Sequence, residues 1–420
     1  MRPANIRRSF RFSCAGEEIP LAEEMLRLQG YGFEPDPFFA PARRLLREPS
    51  PLGGSLAAFF GLLYIQDRSS MLPPVALDPP SGAAILDMCA SPGSKTGQLA
   101  GMTGPRGLVL GNEPSSSRIA NLRRNMQVMG LSNVVTCCQR GENLPLPSES
   151  WDYIQLDPPC SGWGTTEKHP RAAIIWKDGK TAPLVNLQRS LLREAARLLR
   201  PGGVLAYSTC TTNVEENERQ VLFARDELGL EIEALPQPEG FLLHDPEGCA
   251  GVWRLDIVPG ESQGFFVARL RKPGKAQVPC PYTGDPVQAE VLGAGQLTAL
   301  GIDPRLLASD IGIFNGSLHA LPTQALARLP ASLRWQGLYM GKTGKNGEIR
   351  LSPRVRIEGP AEHVDLEGKH GLLQISGLLQ GQSLPAPAMK AGAKSAILRW
   401  NGMPLCRLGV KGGRLIWSER

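Results

Sequence analysis

The fold class predicted for this 420-residue chain is α/β, with a doubly wound parallel sheet as its main body. Three observations predict it. Five runs, "AAILDM", "GLVLGNE", "NVVTCC", "WDYIQLD" and "GGVLAYSTC", are apolar almost throughout, as strands buried on both faces must be. Amphipathic stretches at Ser94–Met102, Ser116–Met129, Leu184–Leu199 and Val214–Leu228 lie between or after them, as covering helices would. With 42% hydrophobic and 20% charged residues, the chain has the composition of an ordinary globular protein long enough for two or three domains.

Taken in order, residues 1–75 open with a basic stretch (Arg7, Arg8, Arg11) followed by Leu21, Met25 and Leu28 at helical spacing before Gly30, which predicts a small helical N-terminal lobe. Residues 76–273 hold the alternating core, closed by "SQGFFVARLRK", a further strand with an antiparallel place at the far side. The Pro- and Gly-rich "KPGKAQVPCPYTGDP" marks a boundary. Residues 280–345 form an intermediate domain without a catalytic signature. Within 346–420, "AILRWNGMPLCRLGVKGGRLIW" places Asn-Gly and Gly-Gly between short β-type runs, predicting a small β-rich domain.

Composition also excludes classes. Nine cysteines show no CxxC pair, and with five histidines they form no ligand spacing, so neither a zinc site nor a disulfide framework is expected and a reducing cytoplasm fits best. "MRPANIRRSFRFSC" has no apolar region followed by a cleavage site, so secretion is not expected. The longest apolar run, "LAAFFGLLYI", is half of what a membrane-spanning helix needs. A formal charge of +6 is compatible with a polyanionic partner.

The stretch "ILDMCASPGSKTGQLA" looks like a nucleotide loop, but a phosphate loop requires glycines at 89 and 94, where Cys89 and Ser94 stand. The dinucleotide fingerprint fails too, because no glycine occupies 91 or 95. What survives is a strand ending at Asp87, a Pro92-Gly93 turn that brings backbone close to a ligand, and a helix N-terminus. Glu113 follows Gly93 by twenty residues at the next strand tip, placed to accept from a ribose diol unless it is only a solvated strand end. Adenosine without a pyrophosphate suits this geometry, and S-adenosylmethionine is the obvious candidate.

Two cysteines end predicted strands: Cys160 in "QLDPPCSGWG", beside Asp157, and Cys210 in "YSTCTTNVEENE". Carboxyl ends of parallel strands are where open α/β sheets put their sites. With "YIQDRSSMLP", "DMCASPGSKT" and "GFFVARLRK", these motifs make the chain resemble the Sun-type family of RNA cytosine-C5 methyltransferases, in its bacterial 16S ribosomal RNA, RsmF-like branch, over roughly residues 56–273. "WNGMPLCRLGVKGGRL" is similar to the PUA-like domain of those enzymes.

The resemblance implies a Rossmann-like S-adenosylmethionine-dependent core, with Cys89, Ala90, Ser91, Pro92, Gly93, Ser94, Lys95, Glu113 and Asp157 at the cofactor. It implies Cys210 as the nucleophile that adds to cytosine C6 and makes C5 reactive, Asp157 as the group that meets charge developing on the base, and Cys160 in release of the enzyme after methyl transfer. The cationic sulfonium and a helix starting near Asn213 are expected to favour the Cys210 thiolate. Two positions depart from the family: Arg140 and Gln263 stand where an acid is usual, and no cofactor role is assigned to Arg140. His169 is left without a role.

The implied activity is methylation of a cytidine in 16S ribosomal RNA, free or in the small-subunit particle, by a cytoplasmic monomer without metal or membrane. The basic N-terminal stretch and the terminal domain are expected to grip phosphates. A transfer RNA target is the runner-up. A non-catalytic RNA-binding assembly factor is the reading from another class, and the presence of both Cys160 and Cys210 argues against it.

Overall fold

The computed structural model describes residues 8–162, 181–244, 246, 248–256, 263–275, 289–304, 307–357, 359, 362–387, 389 and 394–419. The N-terminal segment is a four-stranded antiparallel sheet of β1 (Ser9–Phe12), β2 (Gly32–Pro35), β3 (Ala42–Arg47) and β4 (Leu63–Ile65), in the order β2-β3-β1-β4. Helix α1 (Ile19–Leu28) packs on it through buried Met25 and Leu26. The helical spacing was therefore informative, but the expected helical lobe is corrected to a sheet carrying one long helix. The strands escaped because they are short: β1 alternates polar and apolar over only four residues, and all four are buried, Ser9 and Arg11 included.

The central sheet contains β5 (Ala84–Asp87), β6 (Leu108–Asn112), β7 (Val134–Cys137), β8 (Trp151–Leu156), β9 (Leu199–Thr209), β10 (Glu231–Glu233), β11 (Trp253–Leu255) and β12 (Phe265–Arg271). Strands β7-β6-β5-β8-β9 are parallel neighbours; β12 joins β9 antiparallel, with β10 and β11 paired to β12. Helices α2 (Leu56–Phe59) and α3 (Leu72–Leu77) lead into this sheet, and α4 (Ser94–Thr103), α5 (Ser116–Met129), α6 (Ala182–Leu198) and α7 (Glu218–Asp226) cover its faces.

Successive strand residues point to opposite faces, so Ile85 and Val109 pack with Leu99 and Leu122 of α4 and α5, whereas Leu86 and Leu110 pack with Leu191 and Leu198 of α6. This is the doubly wound core expected. The helix expected over Val214–Leu228 is broken into a 3₁₀ turn, Val214–Glu216, and α7. Asn213 accepts from the Glu215 N–H, and Asn217 donates to Thr211 O, so asparagine side chains compete with a continuous helix.

Beyond the core, β13 (Glu290–Val291), β14 (Ser309–Phe314), β15 (Ser317–Pro322), β17 (Tyr339–Thr343) and β18 (Ile349–Leu351) form an antiparallel sheet, while β16 (Gln336–Gly337) adds to the free edge of β7. The last sheet is β19 (Glu362–Leu366), β21 (Ser395–Trp400), β22 (Met403–Lys411), β23 (Arg414–Ile416) and β20 (Leu384–Pro385), in that spatial order. Its tight turns are the anticipated Asn401-Gly402 and Gly412-Gly413, all four residues at positive φ. This sheet shares one core with the N-terminal sheet, Phe10 and Leu26 lying in the same cluster as Trp400 and Leu405. Among the described residues no helix is long and apolar enough to cross a membrane.

Candidate active site

Parallel registration brings four strand ends to one edge. Asp87 is level with Gln155 of β8 and Gly111 of β6, and Leu156 is level with Tyr207 of β9. Asp87, Glu113, Asp157 and Cys210 therefore emerge together, from strands far apart in sequence.

The turn between β5 and α4 is pinned from below and from one side. Ala90 N–H donates to Asn112 O, Asn125 Nδ2 donates to Pro92 O at 2.8 Å, and Arg118 and Ser91 exchange two bonds at 3.0 Å. Gly93 has φ +109°, and a Cβ there would meet Met126 Cε at 2.6 Å and Leu122 Cδ1 at 2.9 Å. The glycine is thus required by packing against α5, a reason additional to any approach of a ligand.

Glu113 is not a solvated strand end. It is 2% exposed, accepts from the Ser115 N–H at 2.9 Å and faces Arg118 Nη1 at 3.4 Å. Lys95 is likewise no surface lysine: it is 8% exposed, its Nζ donates to Asp157 Oδ2 at 2.6 Å, and it lies 5.5 Å from the Phe265 ring centroid. Burial works against the Lys95 charge, but the Asp157 charge and hydrogen bond outweigh it and hold the ammonium above its usual range. The other oxygen of Asp157 accepts from Ser208 Oγ at 2.8 Å. Ser208 and Cys210 share a strand face because they are two residues apart, a signal that "YSTC" contains.

The Cys160 and Cys210 sulfurs are 3.2 Å apart, and both are free thiols. The pair shares one hydrogen bond, and the positive charge of Lys95 acts on Cys210. Cys210 is accordingly held below the usual thiol range, first by the bond with Cys160 and then by Lys95, against burial and Asp157. Cys160 is pushed well above that range, by the same bond and by burial. The helix expected to start near Asn213 is a three-residue 3₁₀ turn, Val214–Glu216, and the partners acting on Cys210 are Cys160 and Lys95. Cys89 is pushed well above the thiol range by burial and then by Asp87, Asp157 and Glu113, and is inert beside them.

A buried network that sequence reasoning did not assign fixes the two sulfurs. Glu216, fully buried, accepts from the Ser161 N–H at 2.9 Å, Gln188 Nε2 at 3.0 Å and Asn213 Nδ2 at 3.1 Å, and Ser161 Oγ bonds Thr211 Oγ1 at 2.8 Å. Each thiol's next neighbour is thereby tied to the other's loop. Asp87 is 1% exposed, and Thr96 Oγ1 donates to its Oδ2 at 2.7 Å.

Some expected positions lie elsewhere. Arg11, grouped above with the phosphate-gripping residues, is buried and donates to Gln66 Oε1 and to Ser94 O, both at 2.9 Å, so it braces the β5–α4 turn instead. Arg140 has an 84% exposed side chain facing Glu142. Gln263 is buried. His169 and Arg7 lie outside the described residues. Among the described residues no group of three or more His, Cys, Asp or Glu is set to hold a metal ion.

The donor set suits an adenosyl sulfonium. Three carboxylates, Asp87, Glu113 and Asp157, stand at neighbouring strand ends beside a turn in which Pro92 is exposed and Ser94 half-exposed, which matches a ligand with a diol, an ammonium and a positive sulfur. Comparison with known proteins agrees with the geometry. The family profile described as 16S rRNA methyltransferase RsmB/F matches residues 74–271. Ribosomal RNA small subunit methyltransferase F of Salmonella heidelberg (strain SL476) is 38% identical over 282 residues, 64% of this chain and 57% of that protein. The protein of the same name from Enterobacter sp. (strain 638) is 40% identical over 230 residues, 53% and 47% of the two chains. The match thus spans about half the length of these relatives. Among solved structures, a methyltransferase homolog protein from Pyrococcus horikoshii has 32% identity and a TM-score of 0.55, covering 64% of this chain and 87% of the other. NSun6 from the same organism, with SFG, has 22% identity and a TM-score of 0.56 over 65% and 92%, a likeness of fold.

Proposed function

The chain belongs to the 16S rRNA methyltransferase RsmB/F family, and from that premise we propose that it methylates C5 of a cytidine in small-subunit ribosomal RNA, in the cytoplasm, with S-adenosylmethionine. The observation that carries this reading is the pair of sulfurs at 3.2 Å beside the Lys95–Asp157 pair.

Residues 89–95, Glu113 and Asp157 hold the cofactor, which when bound supplies a methyl group on a positive sulfur. Cys210, already biased toward thiolate, adds to C6 of the base, and electron density passes to C5 and N3. The Asp157–Lys95 pair meets the charge that develops on the pyrimidine, with Lys95 as the proton-bearing member. Once C5 carries the methyl group, solvent water takes the C5 proton, the C5–H electron pair re-forms the C5–C6 double bond, and the C6–S bond breaks to return Cys210 as a thiolate. Cys160, whose sulfur is 3.2 Å from that of Cys210, is placed to hydrogen-bond the departing thiolate, which makes it the release residue.

The test is transfer of radiolabelled methyl from S-adenosylmethionine to 16S ribosomal RNA, naked and in small-subunit particles. Incorporation at one cytidine by the native chain, and none by Cys210→Ala, is the result expected. Incorporation into transfer RNA alone would move the substrate, and incorporation undiminished in Cys210→Ala would end the covalent reading.

A further inference from the structure

A second cavity, of about 600 Å³, lies off the methyl-transfer site and is bounded by Phe314, His319, Arg334, Trp335 and Gln336. Its place follows from the fold. Gln336 pairs with Thr136 and Gly337 with Val135, antiparallel, so Trp335 and Arg334 continue past the carboxyl end of β7. Gln139 Nε2 donates to Leu333 O, fastening this segment to the same edge of the central sheet that bears Glu113, Asp157 and Cys210. β16 is five strand spacings from β9, roughly 24 Å.

The chemistry of the lining is specific. His319 Nδ1 lies 3.0 Å from the Gly337 carbonyl, which only accepts, so Nδ1 carries the hydrogen and Nε2 is left as an acceptor. Burial, with Arg123 adding to it, lowers His319 below its usual range despite that bond, so the ring is neutral. Phe314 and Tyr339 pack edge-on against His319 and fix its plane. Trp335 lines the cavity half-buried, packed in part on the central core, and Arg334 stands exposed, held in the left-handed region at φ +54° after the turn Ala331–Leu333. No carboxylate is among the described residues of the lining. Aromatic side chains, a ring acceptor, an amide and one cation are what an unpaired nucleotide needs, the base stacked and the phosphate at the rim. The volume is in the range of small-ligand sites.

We propose that the cavity bounded by His319, Trp335 and Arg334 binds an unpaired nucleotide of the RNA substrate, at a distance from the cytidine being methylated. This rests on the RNA methyltransferase reading above, and it assigns to the segment between β15 and β17 a part in holding substrate.

The test measures anisotropy of fluorescein-labelled oligoadenosine and oligocytidine RNA with the full chain, for native protein, Trp335→Leu, Trp335→Phe and Arg334→Asn, alongside methyl transfer at saturating ribosomal RNA. Asparagine tolerates the left-handed backbone and Arg334 is exposed, so that variant keeps the fold if Trp335→Leu does not. The expected result is RNA binding weakened roughly tenfold or more in Trp335→Leu and Arg334→Asn, less in Trp335→Phe, with turnover at saturation unchanged. Native affinity in Arg334→Asn and both tryptophan variants overturns the pocket and leaves the methyltransferase reading standing. Failure of the native chain to bind or methylate any RNA overturns both. Saturable binding of AMP or CMP that is lost in the variants, with RNA binding intact, assigns the cavity to a free nucleotide and overturns the RNA assignment.

Discussion

The Cys160 and Cys210 sulfurs share a hydrogen bond across 3.2 Å, which lowers the Cys210 thiol and raises that of Cys160. Removing Cys160 should return Cys210 toward ordinary thiol behaviour. In Cys160→Ala the pH midpoint for iodoacetamide alkylation of Cys210, followed by peptide mass spectrometry, is expected to rise. In the native chain alkylation of Cys210 grows as pH rises through a midpoint below the usual thiol value, because only the thiolate reacts. An unchanged midpoint in Cys160→Ala would mean that the shared hydrogen bond does not lower Cys210.

Lys95 is the positive charge that pairs with Asp157 and acts on Cys210. Lys95→Met leaves Asp157 short of its ammonium partner and removes a stabiliser of the thiolate. Methyl transfer is expected to fall about 100-fold or more, a loss typical for a proton-handling group. Urea unfolding should show a stability loss of about 2 kcal/mol, the scale of one charge-assisted bond. Lys95→Arg, which keeps the charge but not the point geometry, should restore stability more than turnover.

Asp87 predicts a pH dependence of stability. Burial raises its carboxyl from 3.8 to about 6, with Thr96 and Lys95 pulling the other way. The folded state therefore binds this proton more tightly than the unfolded chain. Its contribution is fully present below about pH 4, is lost as pH rises through about 6, and is constant above, a change on the order of 3 kcal/mol. Asp87→Asn keeps the shape and removes the titration. The difference in urea midpoint between Asp87→Asn and native protein is expected to grow in favour of the variant from pH 4 to pH 7.

Gly93→Ala tests the packing of the turn. The added methyl meets Met126 and Leu122 of α5, in a backbone region that alanine disfavours. A loss of about 2 kcal/mol by thermal or urea unfolding is expected. Met126→Ala in the same chain should recover part of it by making room.

The core was legible because its strands are apolar on both faces and its helices fill the intervals, a pattern carried by adjacent residues. The cysteines were legible because each ends a strand in a motif. The outer regions were not: β1 buries Arg11 and Ser9, which read as surface residues, and the partners that bury them, Gln66 and Ser94, come from later elements. Glu216 was visible only as a letter in "EENE"; its three donors come from the Cys160 loop, α6 and its own turn, and no local spacing shows such convergence. Lys95 was ambiguous for the same reason, since its partner lies 62 residues away.

The central claim is that Cys210 bonds the base and Cys160 serves its release. RNA carrying 5-fluorocytidine has no C5 proton to lose, so the covalent species cannot resolve. Incubated with S-adenosylmethionine and the protein, it should yield an adduct mapped by peptide mass spectrometry to Cys210. With ordinary RNA, Cys160→Ala should accumulate that adduct and Cys210→Ala should form none. An adduct on Cys160, or one persisting in Cys210→Ala, would contradict the account.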